Sequence, residues 1–151
     1  TGFVGWYSSI TIGVDGNPII SYYDLDNKDL KVAACTNATC TTKTITTLDG
    51  ANDGANDVGL YTSITIGVDG NPIISYHDNN AGALKVAACT NPTCTTSTIT
   101  AVDNTGFVGY DTSITIGADG NHIISYYDVT AGDLKVAKLT RTSWTPNTWE
   151  S

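Results

Sequence analysis

Residues 9–22 read Ser-Ile-Thr-Ile-Gly-Val-Asp-Gly-Asn-Pro-Ile-Ile-Ser-Tyr. The same run returns unchanged at 63–76, and with two replacements, Ala118 and His122, at 113–126. The copies are offset by 54 and then 50 residues, so nearly all of the 151-residue chain is one unit written three times. A period in this range is the signature of a solenoid, a propeller or an array, in which each unit buries its apolar face on the next. Any site carried by the unit would be offered three times over.

Inside the unit, Ile10 and Ile12 alternate with Ser9 and Thr11, the period-two pattern of a strand. Asp15-Gly16 supplies the positive-φ pair of a tight hairpin turn. A second strand is expected over 19–23 and a polar turn over 24–29. A third strand follows over 30–34, then a loop bounded by cysteines, then a Thr/Ile-rich fourth strand over 41–48. Units two and three repeat the scheme over 63–102 and 113–149. No ten-residue stretch carries a 3.6-residue apolar period, so helices are not expected. Four short antiparallel strands in each unit of 40–50 residues describe the blade of a β-propeller. The reading is an all-β single repeat domain, 1–151, with blades at 1–49, 58–103 and 105–151. Residues 50–57 form an inter-blade insertion, a doubled Gly-Ala-Asn-Asp. It is expected to be flexible and solvated, because no bidentate Glu or alternating Asp ladder completes a calcium loop.

Composition narrows the partners. The net charge of −8 argues against nucleic acid or an anionic membrane, since both need a basic patch. No apolar run reaches the roughly 18 residues of a membrane-spanning helix, and no signal peptide is visible. The absence of any Met suits a processed product or an excised segment. The four cysteines fall into two copies of one arrangement, Cys35/Cys40 and Cys89/Cys94. Disulfides closing two short hairpin loops are the favoured reading, each worth roughly 2 kcal/mol by loop-closure entropy. A four-cysteine zinc site would want tighter knuckles converging on one point; free thiols are the other alternative. Disulfides imply a secreted or cell-surface protein. Asn37-Ala-Thr39 matches an N-glycosylation acceptor. No metal or cofactor is expected.

The runs at 4–10, 15–24 and 29–33 resemble the repeats of secreted microbial β-propellers loosely grouped with sialidase-type (BNR-like) blades. The resemblance covers essentially the whole chain and implies the fold. It leaves activity open, since such propellers include lectins, hydrolases and surface scaffolds. The Asp and Gly of that family's Asp-box are present, but its closing Trp is not. Sialidase catalysis would need a cluster of arginines, and Arg141 is alone.

Closed propellers use four to eight blades. Three would leave two raw apolar faces, and such faces seek a partner. The expected closure is a homodimer with six blades around a two-fold axis. A segment of a longer propeller, a different closure number and an open array are the alternatives. In a propeller, two sets of loops gather on one face of the disc. The first set carries Trp6, Tyr7, Tyr61, Tyr110 and Asp111, and the second Tyr23, Asp24, His77, Asp78, Tyr127 and Asp128. Aromatic faces beside carboxylates suit sugar rings, so these are the candidate ligand-binding residues; no catalytic residue is assigned. Structural roles compete: Tyr22, Tyr76 and Tyr126 as inter-blade packing, and the three aspartates as turn caps paired with Lys31, Lys85 and Lys135. Trp144 and Trp149 suit cover of the terminal edge, or a part in the chain–chain contact. His77 and His122 stand on different units and form no obvious dyad. A glycan-binding module, a structural or adhesive repeat module and, behind both, a glycoside hydrolase remain the function classes. No Ser-His-Asp order, HExxH motif or phosphate loop supports the last.

Overall fold

The computed structural model describes residues 2–50, 54–140 and 143–148; Trp149 and residues 51–53 of the insertion lie outside them, as does the side chain of Trp144. Three antiparallel sheets of four strands follow one another along the chain. The first holds β1 (Val4–Ile12), β2 (Pro18–Asp24), β3 (Asp29–Cys35) and β4 (Lys43–Asp49). The second holds β5 (Val58–Ile66), β6 (Pro72–Asp78), β7 (Ala83–Cys89) and β8 (Ser97–Asp103). The third holds β9 (Val108–Ile116), β10 (His122–Asp128), β11 (Asp133–Thr140) and β12 (Ser143–Thr148). In each sheet the strands pair in chain order as a meander. Among the described residues there is no helix, hence none long and apolar enough to cross a membrane.

The first strand of each blade begins earlier than the sequence pattern predicts, at Val4 rather than Ser9. Its register on β2 slips twice, between Val4 and Trp6 and between Trp6 and Ser9. β5 slips at the same places on β6, and β9 is irregular there too. Bulges of this kind bend the strand and break the two-residue alternation that marks a strand in sequence. Trp6, Tyr7 and their counterparts therefore sit on the inner strands themselves, not in loops between blades.

Each blade lies on the next through its inner strand: β5 rests against β1, β2 and β3, and β9 against β5, β6 and β7. We call the side of a sheet that meets the preceding blade its leading face, and the opposite side its trailing face. At the first junction Ile19, Leu30 and Val32 of blade one close over Val58, Ile64, Ile74 and Tyr76 of blade two. At the second, Ile73, Leu84 and Val86 close over Val108, Ile114, Ile124 and Tyr126. A fully buried Leu or Ile stabilises by about 1.5–3 kcal/mol, so these two layers are the core of the molecule.

The polar bonds across the junctions repeat as faithfully as the apolar ones. Thr62 Oγ1 donates to Ser21 Oγ at 2.8 Å, and Thr112 Oγ1 to Ser75 Oγ at 2.8 Å. The Ile64 and Ile114 amides donate to the hydroxyls of Ser9 and Ser63. The Val58 amide donates to the Lys28 carbonyl, and the Val108 amide to the Gly82 carbonyl, both at 3.0 Å. Tyr76 donates its buried hydroxyl to Asp49 at 2.6 Å, and Tyr126 to Asp103 at 2.7 Å. Each bond satisfies a group that burial would otherwise penalise.

Both cysteine pairs are disulfide-bonded, Cys35–Cys40 and Cys89–Cys94, with Cα atoms 4.9 Å apart in each. The zinc and free-thiol alternatives fall away, because no free cysteine remains. The Asn37 side chain is bonded inside its loop to Thr39, Thr41 and Thr42. The insertion is less free than expected at its far end: Asp57 accepts the Tyr23 hydroxyl at 2.7 Å and the Asn79 amide at 2.9 Å.

Candidate ligand-binding face

The bulges put three non-glycine residues in the left-handed region at one position of each blade: Tyr7 (φ 52°), Tyr61 (φ 55°) and Asp111 (φ 48°). Such a conformation costs on the order of 1–3 kcal/mol and persists where the surroundings hold it in place. Its effect is to turn these side chains out of the blade and towards one another. Because β1, β5 and β9 stand side by side, the three residues form one wall with Ser8, Thr62 and Thr112. Together they line an open cavity of about 330 Å³.

The wall is an aromatic chain with hydroxyls along it. Tyr7 and Tyr61 have ring centroids 4.4 Å apart, Tyr61 and Tyr110 5.1 Å, and Tyr110 and His77 4.3 Å. Trp6 lies edge-on to Tyr7 at 6.2 Å. These spacings belong to tilted and edge contacts, which leave ring edges and part-faces open. Burial, with the bond to the Tyr7 hydroxyl, pushes the Tyr61 phenol up to about 12, so it stays a neutral donor. Asp111 is exposed and, among the described residues, is the single carboxylate on the cavity wall. Among the described residues no group of three or more His, Cys, Asp or Glu is placed to hold a metal ion.

The remaining candidates divide. Asp24 accepts the backbone amides of Asp26 and Asn27 and pairs with Lys31. Burial pushes its pKa up, but the bonds from Lys31 and Asn27 outweigh this and hold it below the usual value. Asp78 pairs with Lys85 at 2.6 Å and Asp128 with Lys135 at 2.7 Å, each also accepting the amide three residues on. All three aspartates are thus occupied in turns, and none of them lines the cavity. Tyr23 is buried with its hydroxyl on Asp57, while Tyr127 is exposed on the trailing face of blade three. Sequence reasoning missed Ser8, Thr62, Thr112 and Asp57. The hydroxyl series was visible as a repeat one residue after Tyr7, Tyr61 and Asp111, but nothing local marked it as facing a cavity.

His77 stands where blade one has Tyr23. It is fully buried, and its Nδ1 donates to the Val108 carbonyl at 2.7 Å, across the second junction. Burial lowers its pKa below the ordinary histidine value, against smaller opposing effects from Val108, Asn79, Asp78 and Asp57. The unfolded chain therefore binds the proton first as pH falls below 6.5, and stability declines in that direction. His122, lowered by burial as well, adds to the same slope. We expect unfolding free energies measured by urea titration to rise between pH 5 and 7. His77→Tyr should flatten part of that rise; an unchanged slope would assign it elsewhere.

Comparison with known proteins bears on the fold. No family model matches the chain, and no curated protein does. Among solved structures it is similar to a fucose lectin from Kordia zhangzhouensis in complex with methyl-fucoside. The TM-score is 0.57 at 12% identity, over 95% of this chain and 99% of that one. It is also similar to an endo-arabinase from Bacteroides thetaiotaomicron, with a TM-score of 0.55 at 16% identity. That match covers 93% of this chain but 54% of the enzyme. At these identities the likeness is one of fold, and it places the chain among all-β, β-propeller-like proteins.

Proposed function

We propose that this chain is a non-enzymatic, lectin-like carbohydrate-binding module of an extracytoplasmic protein. The carrying observation is the wall of Tyr7, Tyr61 and Asp111, forced out of three successive blades by one repeated bulge and bordered by Ser8, Thr62 and Thr112. Aromatic rings stack on the CH faces of a sugar while hydroxyls and a carboxylate bond its OH groups. Trp6 and Tyr110 extend the platform. The lectin likeness and the two disulfides support the reading. In this reading the disc is completed by self-association, two copies giving six blades.

Glycan-array screening followed by titration calorimetry tests it. Tyr61→Ala, which removes the middle ring of the wall, should weaken the best ligand at least tenfold, about 1.4 kcal/mol. Asp24→Asn should leave binding unchanged. An array on which no glycan binds would leave a structural or adhesive module, the second reading. The hydrolase reading is disfavoured because the usual mechanism needs two carboxylates flanking the bond, and the described residues of this cavity wall supply one. Turnover of aryl glycosides lost in Asp111→Asn would overturn that choice.

A further inference from the structure

The two faces left uncovered in the chain are the two halves of the junction already built twice inside it. On the leading face of blade one, Ile10 is 62% exposed, whereas its counterparts Ile64 and Ile114 are each 6% exposed under the preceding blade. On the trailing face of blade three, Leu134 is 45% exposed, whereas Leu30 and Leu84 are fully covered. An uncovered apolar surface is a contact surface when its complement is available. Here the complement is on the same chain.

The match extends to individual groups. At both internal junctions a glycine in the left-handed region comes up against the backbone of the leucine: a Cβ on Gly59 would lie 2.6 Å from Leu30 Cα, and one on Gly109 2.9 Å from Leu84 Cα. Gly5 has the same conformation and meets nothing within 4 Å; Leu134 is the leucine left over. Ser8 stands where Thr62 and Thr112 donate, and Ser125 where Ser21 and Ser75 accept. Trp6 stands where Tyr110 packs on His77 across the second junction, and Tyr127 stands where His77 does. One departure is Lys138, where blades one and two carry Ala34 and Ala88. Asp119 holds its ammonium, so its aliphatic stem can lie along the face.

We infer that two copies of this chain associate head to tail, the leading face of blade one in each covering the trailing face of blade three in the other. Whole copies of three blades reach the four to eight blades of closed propellers at one number, six. The contact is heterologous at each seam and closes after two copies, so it ends in a ring rather than a filament. Closure also completes the candidate site. Tyr127 of one copy meets Trp6 of the other, and the aromatic wall becomes continuous around the channel. This names the partner in the assembly expected above, and it stands independently of sugar binding.

Light scattering on the eluted 151-residue chain tests it without any ligand. The expected mass is twice 15.8 kDa. Ile10→Asp and Leu134→Asp should each elute at the mass of one chain with an unchanged circular dichroism spectrum, since both side chains are exposed in the single chain. Mixing the two variants should restore a species of double mass, because one seam of the mixed pair is then wild type. A wild-type monomer, a mass other than double, survival of the dimer in both variants, or no recovery on mixing would each overturn the inference. A dimer that binds no glycan would sink the sugar reading and leave this one standing.

Discussion

Gly59→Ala should destabilise the chain by roughly 4 kcal/mol in urea titration, the sum of two effects. Over-packing at a site that cannot shift costs about 1–3 kcal/mol. Holding a side chain in the left-handed region costs about as much again. The first applies because the new Cβ would meet Leu30 backbone and not a movable side-chain tip. Separating blade two from blade one would relieve the clash, but that would uncover the layer of Ile19, Leu30, Ile64 and Tyr76. Gly5→Ala is the control: it has the same conformation with open space around it, so it should cost the fold only the left-handed share, about 1–3 kcal/mol, and weaken association. Equal effects of the two on the fold of the monomer would show that the blade contact is looser than described.

Asp103→Ala should cost about 3–5 kcal/mol, the range for removing one partner of a buried ion pair. Asp103 accepts the hydroxyl of fully buried Tyr126 at 2.7 Å and the Thr105 hydroxyl at 2.7 Å, and it pairs with Lys135 at 3.4 Å. Burial pushes its pKa up; the bonds from Thr105 and Tyr126 and the charge of Lys135 outweigh this and hold it below 3.8. Its folded pKa is therefore depressed, so its contribution is complete above about pH 4 and is lost as pH falls through the folded value. Asp103→Asn keeps an acceptor for Tyr126 and should lose less. If Asp103→Ala proved as stable as wild type, the Tyr126–Asp103–Lys135 cluster would not be what ties blade two to blade three.

Much of this is legible in the sequence alone. Ile10, Ile12 and their copies marked strands, Asp15-Gly16 a hairpin, and the spacing of Cys35 and Cys40 a closed loop, because each depends on neighbours within a few residues. Pairing of Asp24 with Lys31, seven residues away across one hairpin, was legible for the same reason. The wall of Tyr7, Tyr61 and Asp111 was only half legible. Its residues could be picked out as mismatches among copies, but they read as loop residues. A bulge erases the period-two signal at the place where it re-aims the side chain.

By itself the sequence determined that the chain is a threefold repeat of a four-stranded antiparallel unit with two short cysteine-bounded loops. Those properties follow from local periodicity, turn chemistry and spacing. Only the tertiary structure decided which of the repeated residues do the same work. Leu30, Leu84 and Leu134 occupy equivalent positions in the three copies, yet two are sealed and the third is open, because burial depends on what stands next to a blade. The same contrast separates buried Tyr23 and His77 from exposed Tyr127. It also sets Tyr7 and Tyr61, 54 residues apart in the chain, 4.4 Å apart on one wall.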